Sequence, residues 1–225
     1  MSKSEEFVKR SHSLEGDTGR LAEHYGTWAA SYDEDLRDWE WRGPEEIGDL
    51  YVSLADAHPW LAPDPGSGAD SGVGVLDAGC GTGLVGVVLA RHGAGFVDGF
   101  DLSDAMVEQA RATGVYRALK GGVDMNGGLT EYADNTYDVT VSSGVFTLGH
   151  VPPEGLDPLL RVTRTGGLVL VTTHKSYLDT SAFEAHVADL AGAGTLKVVR
   201  RLQDVPYTAE TPADYWAFEV RRGGN

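Results

Sequence analysis

Cysteine is nearly absent: Cys80 is the only one in 225 residues. An internal disulfide is therefore excluded, and so is a cysteine metal cluster. Positive charge is scarce. Lysine and arginine number 18 against 34 aspartate and glutamate residues, giving a net charge of −16. A chain this acidic repels phosphate backbones and gains nothing from counterion release, so a nucleic-acid substrate is disfavoured. The basic pairs Lys9-Arg10 and Arg200-Arg201 are too short to reverse that. Long apolar runs are lacking too. None approaches the ~20 residues of a membrane helix, and Met1 to Ser13 holds no apolar signal-peptide core. The cytoplasm is the expected location. Hydrophobic residues still make up 41% of the chain, enough for a globular core and too many for a disordered polymer.

Glycine is abundant where it has consequences. Val75-Leu76-Asp77-Ala78-Gly79-Cys80-Gly81-Thr82-Gly83 reads as a short apolar strand and a tight turn, and residues 84–90 can form the helix that follows. A turn with glycine at every second position needs positive backbone torsions and no Cβ in the way. It lets main-chain N–H groups and a helix N-terminus approach a ligand. A dinucleotide fingerprint would place a third glycine at position 84, which is Leu84 here. The run Val-Leu-Asp-x-Gly-x-Gly-x-Gly instead resembles the first motif of the class I S-adenosylmethionine (SAM) methyltransferases. That resemblance implies SAM as cofactor, with Gly79, Gly81, Thr82 and Gly83 against its methionine part and Asp77 helping to hold its amino group.

The rest of the chain alternates. Strands are expected at 73–78, 96–101, 116–119, 137–143 and 168–173, with helices over 84–92, 103–110 and 155–163 between them. Such alternation implies a parallel sheet with helices on both faces. A helix over 179–191 precedes strands at 196–202 and 215–221, which have no helix between them and should pair antiparallel. The expected fold is α/β: a Rossmann-like, seven-stranded, mostly parallel sheet with one antiparallel edge strand. Three units are expected: a flexible tail over 1–18, an N-terminal helical cap and linker over 19–72, and the cofactor-binding domain over 73–225. In the cap, Tyr25, Trp28, Ala29 and Tyr32 share one helical face. The segment resembles one that folds over the cofactor in many small-molecule methyltransferases, which makes Tyr25, Trp28 and Tyr32 candidate cofactor contacts. A stripe docked on the core is the plainer alternative. A second cap helix over 44–57 is expected to begin at Pro44, with Glu45 and Glu46 in its first turn.

Further site residues follow the strand ends, where open α/β sheets bind ligands. Asp101 ends the second strand, 18 residues after Gly83, and can accept both hydroxyls of a ribose. Ser103 is a helix N-cap candidate. The resemblance implies that Leu102, Ser103 and Met106 lie near the adenine, that Asp124 with Met125 receives its amino group, and that Ser143 and Gly144 border the sulfonium. His150, on the loop beyond the fourth strand, is the first candidate general base, and His174, ending the fifth, is the second. No metal is expected. Gly144-Val145-Phe146-Thr147, Gly149-His150-Val151 and Arg164-Thr165-Gly166-Gly167 are similar to the Williams–Beuren-region methyltransferase-like group. Ser142-Ser143-Gly144-Val145 departs from the Asn/Asp-Pro-Pro-Tyr signature of the groups that modify protein glutamine or amino-adenine.

The expected activity is methyl transfer to oxygen or nitrogen of a small-molecule acceptor, with specialised metabolism as one setting. Trp28, Tyr32, Trp39 and Trp41 point to an apolar or planar acceptor. A SAM-assisted cyclisation and a non-catalytic SAM-binding module are the alternatives. No membrane partner is expected, and the chain is expected to be a monomer or homodimer.

Overall fold

A computed structural model describes residues 10–11, 13–14, 16–62, 72–209 and 211–222. Most of the segment expected as a mobile tail, and most of the Pro/Gly-rich linker, lie outside these residues. Where the tail is described it is anchored. Ser11 and Leu14 are buried, and the Gly16 amide donates to the Gly149 carbonyl at 3.0 Å. Leu14 is one of the few apolar side chains there, and its burial draws the flanking backbone onto the fold.

The cap begins with helix α1 (Thr18–Trp28), whose N-cap Asp17 accepts from the Arg20 amide. The chain leaves the helix at residues 29–31, and a second short helix, α2 (Tyr32–Asp38), follows. Helix α3 (Gly43–Ser53) has Pro44 in its first turn, ahead of Glu45 and Glu46.

From residue 74 onwards strands and helices alternate: β1 (Gly74–Ala78), α4 (Leu84–Arg91), β2 (Phe96–Phe100), α5 (Asp104–Ala112), β3 (Tyr116–Lys120), β4 (Tyr137–Phe146), α6 (Leu156–Val162) and β5 (Thr163–His174). Two short helices, α7 (Lys175–Thr180) and α8 (Phe183–Gly192), stand where one was expected. Strands β6 (Leu196–Pro206) and β7 (Pro212–Val220) complete the chain's regular structure.

The seven strands form one sheet in the order β3-β2-β1-β4-β5-β7-β6. The pairs among β1 to β5 are parallel. β7 runs antiparallel to both β5 and β6, so the antiparallel edge is a ribbon with β7 inside and β6 outermost. Central strands are buried on both faces: every residue of β1 is buried. Apolar side chains divide between two cores. Leu76, Ala78 and Phe100 face one, with Phe146 and Phe183; Val75 and Val97 face the other, with Ile47, Leu50 and Tyr51 of α3. This period-2 division along β1 decides where each functional side chain of that strand can reach.

Candidate functional site

The parallel strand order changes direction at β1, with β2 on one side and β4 on the other. Crevices form at such points outside the strands' C-terminal ends, and one is found here. The glycine turn after β1 supplies its floor. Gly79, Gly81 and Gly83 have φ of +77°, +53° and +94°. A Cβ on Gly79 would sit 2.5 Å from Cγ2 of Val145, whereas one on Gly81 would meet nothing within 4 Å, because Gly81 faces open space. The turn hands directly into α4, with Gly83 as its N-cap.

Asp101, just beyond β2, ties two loops together. Its carboxylate accepts from the Gly81 amide at 2.8 Å and from the Ser103 amide at 2.9 Å. Burial pushes its pKa up, and these amides pull the other way. Ser103 also caps α5, accepting from the Met106 amide. Asp124 accepts from the Asn126 amide at 2.9 Å and orders the loop behind it.

Of the residues expected to bind cofactor, one cavity brings together Tyr25, Tyr32, Gly79, Gly81, Asp101, Leu102, Met106, Asp124, Met125, Ser143 and Gly144. His150 lines it as well. Leu21 and Thr18 of α1 also border it, as do Phe100, Val123 and Val145, which sequence reasoning passed over. Leu21 sits four residues before Tyr25, so the helical stripe extended one turn further back could have found it.

Asp77, Thr82, Gly83, Ser103 and Trp28 do not line that cavity. Asp77 lies on the same face of β1 as Val75, turned to the opposite core, and accepts from the Tyr116 hydroxyl at 2.7 Å. Thr82 donates to Asp33 of α2 at 2.5 Å and so pins the cap to the glycine turn. Trp28 donates its indole N–H to Asp35 at 2.6 Å and borders a second cavity. His174 borders that second cavity too, its ring 4.3 Å from that of Tyr207.

Asp77 carries a pH-dependent consequence for stability. Burial raises its carboxyl from the ordinary 3.8 to about 7, against the opposing hydroxyl of Tyr116. Between those values the native chain holds a proton that the denatured chain has released. Stability is therefore lost as pH rises from about 4 to about 7, by up to roughly 4 kcal/mol in all, and levels off above that. Urea unfolding across pH 4 to 8 should show stability falling up to about pH 7 and flat beyond it, and Asp77→Asn should flatten that fall. An unchanged slope in the variant would refute the assignment.

Tyr25 and His150 meet at the loop after β4. The ring nitrogen Nδ1 of His150 lies 2.8 Å from the Leu148 carbonyl, and Nε2 lies 2.7 Å from the Tyr25 hydroxyl. A carbonyl only accepts, so in the neutral imidazole Nδ1 carries the proton and Nε2 accepts from Tyr25. Burial pushes the Tyr25 phenol well up, so it keeps its proton at neutral pH. Tyr25, Tyr32, Gly144 and His150 line both the cofactor cavity and the second, aromatic one, which joins the two.

The donors and surfaces present fit SAM. Ser143 Oγ is buried without a hydrogen-bond partner and lines the cavity, so a polar ligand group is what would satisfy it. Asp101 offers acceptor oxygens suited to ribose hydroxyls. Met106, Val123 and Met125 supply an apolar surface for a flat base. Among the described residues no group of three or more histidine, cysteine, aspartate or glutamate side chains could hold a metal ion, and no helix is long and apolar enough to cross a membrane.

Comparison with known proteins agrees with this geometry. Residues 75–167, from β1 into β5, match the family model described as a methyltransferase domain. Human methyltransferase-like protein 27 is 32% identical over 183 residues, which span 81% of this chain and 69% of that protein. Among solved structures, the magnesium protoporphyrin IX methyltransferase of Synechocystis, with bound adenosylhomocysteine, superposes with a TM-score of 0.65 at 16% identity, over 92% of this chain and 100% of that one. The [4+2]-cyclase SpnF shares the fold at a TM-score of 0.56 and 18% identity, over 78% of this chain and 81% of that one. A glycine turn, a strand-tip carboxylate and this relative together place the chain: it belongs to the class I SAM-dependent methyltransferases, in the family of methyltransferase-like protein 27.

Proposed function

We propose that this chain transfers the methyl group of SAM to nitrogen or oxygen of a small organic molecule received by the aromatic cavity. His150 accepts the acceptor's proton through Tyr25. The observation that carries this reading is the hydrogen bond between Tyr25 and His150, placed where the two cavities meet.

SAM brings a methyl group already activated by its sulfonium, so the protein's work is to position, to exclude water and to remove a proton. Gly79, Gly81 and Ser143 hold the methionine end, Asp101 the ribose, and Met106 with Asp124 the base. Tyr25 presents its oxygen to the acceptor while its own proton is directed at Nε2 of His150, and the Leu148 carbonyl holds that imidazole in the receptive tautomer. His174 borders only the acceptor cavity and is an orienting group there. Helices α1 and α2 act as the lid, through Tyr25, Tyr32 and the Thr82–Asp33 link.

The acceptor cavity encloses about 510 Å³, within the range of sites for small organic ligands. That size supports a small acceptor over a macromolecule. The net charge of −16 supports the exclusion of nucleic acid, and with the single buried cysteine it fits a cytoplasmic setting. Mass spectrometry of the product tests the reaction type. A gain of one methyl group with stoichiometric adenosylhomocysteine is expected; an isomer of the acceptor with SAM intact would replace this reading with a cyclase.

A further inference from the structure

The second cavity has a composition and a geometry that narrow the acceptor. Trp28, Tyr32, Trp39, Trp41 and Tyr207 line it, and among the described residues Asp38 is the one carboxylate on its wall. No described lysine or arginine lines it. Most ring pairs on this wall meet at steep angles, 75° between Trp28 and Tyr32, 66° between Trp28 and Trp39, and 69° between Trp41 and Tyr207, while Tyr25 stacks on the buried Trp28 at 18°. A flat aromatic acceptor is held best between parallel walls, at offset-stacking distance. Walls set near perpendicular make a box, which suits a compact tetrahedral group. Each ring face carries negative quadrupole density, and that attracts a cation. Burial pushes the phenols of Tyr32 and Tyr207 well up, so they remain neutral and present faces rather than phenolates. Acceptors bearing carboxylate or phosphate find no cation here and would meet Asp38.

We propose that the acceptor is an organic amine that enters as its ammonium ion and is held in this aromatic box, so that the chain is an N-methyltransferase. The proposal rests on the methyltransferase reading above and names its substrate class. The ammonium must first lose one N–H proton. It passes to the Tyr25 oxygen as the Tyr25 proton passes to Nε2 of His150. The freed nitrogen lone pair forms the new N–CH3 bond, the methyl–sulfur bond breaks, and its electron pair stays on sulfur. Ammonium and sulfonium thus give methylated ammonium, neutral adenosylhomocysteine and one proton, which leaves through His150. The product keeps its positive charge and its place among the rings until the cofactor product departs.

Binding can be read without turnover. Calorimetric titration with trimethylphenylammonium, in the presence and absence of adenosylhomocysteine, should give at least tenfold tighter binding than its neutral isostere tert-butylbenzene. Trp39→Leu should weaken the cation at least tenfold, and Asp38→Asn, at an exposed position, severalfold. Both variants should keep wild-type affinity for adenosylhomocysteine, which also reports that they are folded. Equal affinity for cation and neutral isostere would overturn the proposal. So would wild-type cation binding in both variants. Adenosylhomocysteine is titrated separately. Its failure to bind would sink the methyltransferase reading, whereas its normal binding beside an indifferent cavity would sink only the amine assignment.

Discussion

Asp101→Ala should reduce SAM affinity by about 10²- to 10⁴-fold and abolish the thermal stabilisation that SAM confers. The side chain does two things at once. It is the only carboxylate expected to accept the ribose hydroxyls, and it holds the Gly81 and Ser103 amides, which set the shape of the glycine turn and the start of α5. Hydrogen bonds to a charged group contribute roughly 1.5–3 kcal/mol each, so losing two ribose contacts removes about 3–6 kcal/mol. Asp101→Asn separates the roles. An amide keeps one acceptor oxygen and can hold one of the two loop amides, so the variant should fold as the wild type does while still binding SAM at least tenfold more weakly. Calorimetry with SAM and adenosylhomocysteine measures both variants, and the melting temperature at saturating ligand gives an independent reading. Wild-type affinity in Asp101→Ala would remove Asp101 from the cofactor site.

His150→Ala should lower kcat by roughly 10²- to 10⁴-fold, the range of general acid–base catalysis, and leave SAM affinity within a few-fold. In the proposed relay the imidazole acts on substrate through Tyr25, so Tyr25→Phe is the informative partner. Phenylalanine keeps the ring that closes the cofactor cavity and removes the hydroxyl that joins it to Nε2. If the two side chains form one relay, each single variant loses about as much as the double variant, because residues that act as a unit are not additive. If the losses instead multiply, the imidazole acts on the acceptor directly and Tyr25 is a wall. Unchanged turnover in His150→Ala would remove the base assignment.

The sequence by itself determined the sheet, its mostly parallel order and the glycine turn and carboxylate that meet at one sheet edge. These are consequences of short-range physics. Alternating apolar strands and helices admit few topologies. Three glycines in five residues, after an apolar strand, can only be a turn with positive torsions, and the structure has all three in that region. An acid immediately past the next strand, Asp101, must then stand at the same sheet edge as the turn, as it does. Element ends were legible to within a few residues, except that a separate short helix, α7, precedes α8 with a break at 181–182.

Which side of the sheet a residue serves, and which distant residue it meets, only the tertiary structure decided. Asp77 has the sequence position of a cofactor ligand, but strand periodicity turns it with Val75 towards Tyr116 and away from the cavity that holds Gly79 and Gly81. Trp28 borders the second cavity and not the first, although its place in the cap had set it beside the cofactor; His174 borders the second cavity as well. Tyr207, just past the end of β6, joins the same wall across some 180 residues of chain from Trp28, and no local pattern marks it. The pairing of Tyr25 with His150, 125 residues apart, is of this kind too. Backbone torsion and hydrophobic period act over a few residues and are written locally. A functional constellation depends on how whole elements pack, and that is fixed only when the cap helices close on the sheet.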